Sequence, residues 1–329
     1  MKTYNKSLMI IHQGAVGDLI LTFPAILMLK GQPQGDCPFN KIALFCQSKI
    51  GKLARHLRIA DTTFAVESAY FSSLFSDVAA SEIKDMLNSY RKILLFSYSE
   101  QLEQKINEIT GNKIFRIPPR PDIHEKIHIS EHIFNYLVKY QLLKKSDYSD
   151  ILPAVYPKRD DSYDSAKILI HPGSGSRRKN WHLSYFAEVY NKLGADGMNP
   201  EWILGPAEDF LLKYLQKNYK DIHIFSELTE LALLLGRSGG FIGNDSGITH
   251  LAAFMGIPTV AIFGPSDPAR WRPIGRKISV IRPAELACSP CFESEKRNCD
   301  NQECLNKISP DMVVKAFYEI NTGDLLIPD

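Results

Sequence analysis

A strand, a glycine-bearing loop and a helix follow one another at residues 7–29, and the same succession returns at residues 167–193. That repeat limits the folds open to this chain more than any other feature. In the first copy, Ser7-Leu-Met-Ile-Ile11 is an apolar run of strand length. Gly14 and Gly17 punctuate the loop, and Leu19, Leu21, Ile26, Leu27 and Leu29 supply a helical face. Pro24 suits a first helical turn, so either the first turn is separate or the helix begins properly near Pro24. In the second copy, Lys167-Ile-Leu-Ile170 is the strand, 171–179 the loop and 183–193 the helix.

The alternation continues around both copies. Strands are expected at 41–46, 62–66, 92–96 and 113–116, with helices at 50–57, 83–90, 102–109 and 129–143. After the restart come strands at 201–204 and 222–225 and helices at 208–215 and 228–237. Elements in this order imply mostly parallel sheets covered by helices. The expectation is an α/β chain with two Rossmann-like, parallel-sheet domains facing across a cleft, over 1–155 and 165–310. A linker rich in Ser, Asp, Tyr and Pro falls at 146–165. A helix and tail at 311–329 are expected to pack back on the first domain. A length of 329 residues agrees with two domains.

Composition removes several functions. A formal charge of +2 is too small to argue for a nucleic-acid partner. The apolar stretch 8–29 is interrupted by His12, Gln13, Asp18 and Thr22 and broken by Gly14, Gly17 and Pro24, so it reads as neither signal peptide nor membrane span. A cytoplasmic protein is expected, with peripheral contact at the inner face of the cytoplasmic membrane left open. The first loop lacks the third glycine of a dinucleotide fingerprint, and the second strand ends in Cys46-Gln47-Ser48 with no acidic residue, which argues against an oxidoreductase.

The stretch 241–263 carries the clearest ligand signal. Phe241-Ile242-Gly243 closes a strand, Asn244-Asp245-Ser246-Gly247 is turn and N-cap chemistry, and Ile248, Leu251, Ala252 and Met255 recur at helical spacing. A helix begun this way offers free N–H groups and a positive dipole end, which suits a phosphate. Capping alone is the plainer account of Asp245. Ligands of such sheets bind outside the carboxyl ends of the strands. On that rule the loops at 12–18, 171–179, 204–208 and 243–248 would surround one crevice.

Five motifs in order resemble a known family: Gly14-Ala-Val-Gly-Asp-Leu-Ile-Leu-Thr-Phe-Pro24, His171-Pro-Gly-Ser-Gly-Ser-Arg-Arg-Lys-Asn-Trp181, Leu204-Gly-Pro-Ala-Glu208, Asn244-Asp-Ser-Gly-Ile-Thr-His-Leu-Ala-Ala253 and Phe263-Gly-Pro-Ser-Asp-Pro268. Over nearly the whole chain it resembles the ADP-heptose:lipopolysaccharide heptosyltransferases, glycosyltransferase family 9, of GT-B fold. The resemblance implies an inverting transfer of heptose from ADP-heptose to a lipid A–core acceptor, with no cofactor needed for catalysis. It implies that Asp18, in the acceptor-side loop with Gly14 and Gly17, is the general base. It further implies that Lys179 contacts donor phosphate and that Glu208 binds the ribose hydroxyls. Asp245, Ser246, Gly247, Ile248 and His250 would line the donor diphosphate and sugar.

The residues fit that chemistry. A carboxylate can take the acceptor proton as the new bond forms, and a nucleoside diphosphate leaving group needs fixed donors. The chain contains no Asp-x-Asp pair to hold a divalent ion. Asp18 as a helix cap and Glu208 as a first-turn acid are the plainer accounts. Trp181 reads as packing. The Arg270-Trp271-Arg272 loop reads either as an acceptor contact or as a surface loop. Two other functions fit the same motifs: a GT-B enzyme with another nucleotide-sugar donor or glycan acceptor, and a sugar-nucleotide-binding protein without catalysis.

Cys288, Cys291, Cys299 and Cys304 form C-x2-C-x7-C-x4-C. The first reading is a structural metal site, zinc being the usual occupant of four thiolates. Free thiols and disulfides are the alternatives.

Overall fold

The structure, a computed structural model, describes residues 6–31, 39–76, 78–111, 113–144, 162–283, 286, 288–293, 299 and 301–322. Most of the linker expected at 146–165 lies outside them, as does Cys37. The chain divides into two compact units, Met1–Val155 and Tyr156–Asp329.

The first unit holds a five-stranded parallel sheet of β1 (Ser7–His12), β2 (Lys41–Cys46), β3 (Thr62–Ala65), β4 (Lys92–Phe96) and β5 (Ile114–Ile117), in the order β3-β2-β1-β4-β5. β1 is central, and every one of its residues is buried. A parallel strand covered on both faces needs an unbroken apolar run, and Leu8-Met-Ile-Ile11 supplies it. The helical stretch after β1 is divided into Val16–Ile20 and Phe23–Leu29, with Pro24 in the first turn of the second helix. Proline lacks the N–H that an interior turn would use, so it sits where that N–H has no partner to lose.

The second unit holds a six-stranded parallel sheet: β6 (Asp164–His171), β7 (Asn199–Leu204), β8 (Ile222–Ile224), β9 (Ser238–Asn244), β10 (Thr259–Ile262) and β11 (Ile278–Ile281). Their order is β11-β10-β9-β6-β7-β8. Strand order therefore reverses between β6 and β9. At such a reversal the connections leave toward opposite sides, and a crevice opens at the carboxyl ends of the two strands. The loops that follow β6 and β9 are the motif loops at 172–182 and 245–247.

The helix Pro310–Thr322 joins the core of this second unit through Val313, Ala316, Phe317 and Ile320. Its apolar face completes the helical cover of β10 and β11, burying side chains that would otherwise face water. The tail at 323–329 lies outside the described residues. Among the described residues, no helix is long and apolar enough to cross a membrane.

Candidate functional site

In the second unit, Asn244 fixes the geometry of the two motif loops. It ends β9 fully buried, and its side-chain amide donates to the carbonyl of Pro172 at 2.8 Å while its Oδ1 accepts the Trp181 N–H at 2.9 Å. A buried amide with both ends satisfied is a rigid tie. Trp181 is packed in the core, its indole N–H donating to the Ile308 carbonyl at 3.2 Å, as the sequence reading expected.

Asp245 comes next. Its N–H donates to the Ile262 carbonyl at 3.0 Å, which turns the side chain toward the loop after β6. There Lys179 Nζ lies 2.8 Å from Asp245 Oδ2, and His250 Nε2 lies 3.7 Å from Oδ1. Burial alone would push the Asp245 carboxyl up, but the neighbouring His250 ring and Lys179 ammonium outweigh it and hold the carboxyl at about 2. Ser246 caps the helix Gly247–Phe254, its Oγ accepting the Thr249 N–H at 3.3 Å. Gly247 and Ile248, in the first turn, are half-buried. Helix starts leave their first N–H groups without intrahelical acceptors. A cation, a capped helix start and a carboxylate that orients the cation thus meet at the strand-order reversal.

Glu208 forms a second cluster beside them. It ends the short turn Pro206–Glu208 after β7, is 5% exposed, and accepts the Gly205 N–H on Oε2 at 2.9 Å. His171 Nε2 approaches the same oxygen at 3.5 Å. The carboxylate lies against the backbone of Gly173, where a Cβ would overlap Oε1. Only glycine leaves room for it. One oxygen of Glu208 thus accepts from the start of its own turn, and the other faces the loop after β6.

In the first unit, Asp18 is the third residue of the helix Val16–Ile20 rather than its cap residue. Its Oδ2 reaches back to accept the Ala15 N–H at 3.2 Å and lies 3.5 Å from Arg120 Nη2. The Asp18 side chain is 14% exposed. His12, at the end of β1, is buried and accepts the Gly14 N–H on Nδ1 at 3.1 Å. Burial lowers the His12 pKa to about 4, against an opposing pull from Asp18. Gly14 is held close, since a Cβ there would stand 2.6 Å from His12 Cε1. The Gly14 carbonyl also receives Gln47 Nε2 at 3.4 Å, and Gly17 accepts the Leu21 N–H at 3.0 Å.

Sequence reasoning did not single out His12, His171, Asn244 or Arg120. The first three stand inside or beside motifs that were read, so their proximity was legible in principle. Arg120 lies 102 residues from Asp18, and only the β1–β4–β5 order brings them together.

The cysteine cluster departs from expectation. Among the described residues, no group of three or more His, Cys, Asp and Glu side chains is arranged to hold a metal ion. The zinc expected at Cys288, Cys291, Cys299 and Cys304 therefore has no assembled ligand set. Cys304 is buried on the short helix Glu303–Asn306, whereas Cys288 and Cys299 are exposed, and no disulfide joins any of the four. Burial, reinforced by the other three thiols, pushes the Cys304 thiol up to about 11. Arg270 also differs from the exposed loop tip considered above. It is 4% exposed and pairs with Glu293 at 2.9 Å.

Comparison with known proteins agrees with these motifs. The profile of glycosyltransferase family 9 (heptosyltransferase) matches residues 126–301. Lipooligosaccharide heptosyltransferase 2 of Campylobacter jejuni is 28% identical over 167 residues, covering 47% of this chain and 52% of that protein. The chain spans about half the length of the curated relatives it matches. Among solved structures, a family 9 glycosyl transferase from Veillonella parvula superposes with a TM-score of 0.73 at 19% identity, covering 97% of this chain and 98% of that one. The Escherichia coli heptosyltransferase WaaC with ADP superposes with a TM-score of 0.66 at 16% identity, covering 95% and 99%. The fold is theirs, the GT-B class of two Rossmann-like domains. With the profile extending over more than half of its length, the chain belongs to glycosyltransferase family 9, the heptosyltransferase family.

Proposed function

We propose that this protein is an inverting, metal-independent glycosyltransferase that moves a heptose from ADP-heptose to a lipopolysaccharide core acceptor at the inner face of the cytoplasmic membrane. The observation that carries this reading is the meeting of Lys179, Asp245 and the capped start of the helix Gly247–Phe254 at the strand-order reversal of the second unit. Charge that grows on the departing diphosphate would meet an ammonium and helix-start N–H groups already in place, so no solvent need reorganise. Lys179 and the helix dipole can supply the positive charge that a divalent ion supplies elsewhere, which favours a metal-independent reaction.

Asp245 would orient Lys179, and Glu208 would accept from the ribose hydroxyls with its free oxygen. Asp18, held by the Ala15 N–H and Arg120, would take the proton of the acceptor hydroxyl as that oxygen attacks the anomeric carbon from the face opposite the diphosphate. The C–O bond to the diphosphate breaks, ADP leaves with the electron pair, and the anomeric configuration inverts. The ADP seen in the WaaC structure fits a donor of this type, and the Campylobacter relative bears a lipooligosaccharide heptosyltransferase name.

The test is transfer from ADP-heptose to a deacylated lipid A–core acceptor in the presence of a chelator, with the product linkage read by NMR. Inverted product formed at an unchanged rate supports the reading. Release of ADP that Asp18→Asn does not slow, or activity abolished by the chelator, overturns it.

A further inference from the structure

The segment that carries Cys288 and Cys291 does not hang free of the Lys179 loop. Cys291 and Phe292 both donate their N–H groups to the Pro265 carbonyl, at 2.8 and 2.9 Å. Ser289 Oγ donates to the Gly264 carbonyl at 2.9 Å and receives Arg282 Nη2 at 2.9 Å. Glu293 closes the segment through its ion pair with the buried Arg270. Three of these ties pin the segment to the loop that follows β10, at the same sheet edge as the loops after β6 and β9, and two more, from Arg270 and Arg282, hold it to the helix Pro268–Trp271 and the end of β11.

So anchored, Phe292 presents its ring to the basic turn. Lys179 Nζ stands 4.2 Å from the ring centroid, and the Arg178 guanidinium carbon stands 5.6 Å from it. Arg178 Nη2 also lies 3.9 Å from Cys291 Sγ. Arg177, on the other side of the turn, lies 5.1 Å over Phe210. Lys179 therefore has two holders of different kinds. Asp245 holds it with an opposite charge, which also cancels part of its field. The Phe292 ring holds it through the negative face of its π-system, which fixes the ammonium without a counter-charge. A lysine stem has many rotamers, so confinement from two sides removes freedom that a bound anion would otherwise have to remove.

We infer that Phe292 is a positioning residue of the donor site, and that the cysteine-bearing segment is a wall of that site holding Lys179 ready for the diphosphate. The inference rests on the donor reading above and assigns it a residue that contributes no charge. It also gives the segment 288–293 a role that needs no metal.

The experiment is ADP titration by calorimetry of the parent, Phe292→Leu, Phe292→Trp and Lys179→Met, with Phe292→Leu repeated in the Lys179→Met background. Leucine keeps the apolar bulk and removes the π-face. Loss of one desolvated cation–π contact predicts ADP affinity lower by about threefold to thirtyfold in Phe292→Leu. Tryptophan should retain parent affinity. In the Lys179→Met background the same leucine change should alter affinity by less than about twofold, because the ring acts through the ammonium. Equal losses in both backgrounds, or leucine and tryptophan equally harmful, would assign Phe292 a packing role and overturn the inference while the donor site stands. A parent protein that binds no ADP overturns the donor reading and this inference with it. Should Lys179→Met bind too weakly to titrate, the ranking of tryptophan over leucine decides.

Discussion

Lys179 Nζ and Asp245 Oδ2 lie 2.8 Å apart and join the loop after β6 to the loop after β9. The Asp245 side chain is 5% exposed and that of Lys179 is 19% exposed. A pair so far removed from water stabilises little over an apolar substitute, yet removal of one partner strands the other. Lys179→Ala should therefore both weaken ADP binding and destabilise the second unit, by about 2 kcal/mol once the partial exposure of Lys179 is discounted. Adding Asp245→Asn should recover most of the stability and none of the binding. Urea denaturation and calorimetry on the two single variants and the double variant separate these effects. Recovery of ADP affinity in the double variant would show that Lys179 serves the fold alone.

Asp18→Asn tests the division of labour between the units. An asparagine Oδ1 can still accept the Ala15 N–H, so the helix start should survive with stability changed by less than about 1 kcal/mol. If Asp18 is the base, its loss should lower kcat by about 10²- to 10⁴-fold. ADP affinity should be unchanged, because the residues placed at the diphosphate all belong to the second unit. A rise in donor Kd comparable to the fall in kcat would move Asp18 out of the role of base.

The buried His12 predicts a pH dependence of stability with a definite sign. Its folded pKa of about 4 lies below the ordinary histidine value of 6.5, so between those values the unfolded chain binds more protons than the folded one. The stabilising contribution is complete above about pH 6.5 and is lost as pH falls toward about 4, amounting to roughly 3 kcal/mol. Asp245, held at about 2 against 3.8, adds a further loss at lower pH, below about 4. Asparagine at position 12 can place Oδ1 where Nδ1 accepts from Gly14 but does not titrate. His12→Asn should thus remove the loss between pH 6.5 and 4 and keep the lower one. Urea midpoints measured from pH 7.5 to 3 give the comparison, and an unaltered profile in His12→Asn would assign the dependence to other groups.

Much of the architecture was legible because parallel strands and helices leave different periods in a sequence. KIALFC and KILLF are strands over the bounds read for them, 41–46 and 92–96. The short helices Ala69–Ser72, Pro268–Trp271 and Glu303–Asn306 left no period, since four residues make barely one turn. Within the site, Lys179 and Asp245 were readable because each stands in the connection that follows a recognisable strand, and His250 because it lies in the helix that Ser246 caps. Phe292 was not readable. Its place is set by two N–H donations to the Pro265 carbonyl, and such ties leave no pattern in composition or spacing. The C-x2-C spacing, meanwhile, drew the reading toward a metal. Spacing alone does not show that Cys304 is buried while Cys288 and Cys299 face water.

Gly173 and Glu208 give the most direct test of the proposed ribose contact. The carboxylate occupies the space where a Gly173 side chain would begin, and it is pinned from below by the Gly205 N–H at 2.9 Å. Gly173→Ala must therefore displace Glu208 or shift the loop after β6. Overpacking of this kind costs about 1–3 kcal/mol. Glu208→Gln keeps the shape and one acceptor oxygen, so it should fold with little loss and weaken ADP binding by about 10-fold, as expected when hydrogen bonds to a charged acceptor become neutral. If Glu208 binds ribose, Gly173→Ala should lose ADP affinity at least as severely as Glu208→Gln. Both variants should also lose preference for ADP over its 2′,3′-dideoxyribose analogue, because that analogue has no hydroxyls for the carboxylate to accept from. Competition titration of the two nucleotides on parent and variants reads this directly. A preference for ADP that persists in both variants would leave Glu208 as a cap of its own turn and send the search for the ribose partner elsewhere in the loop.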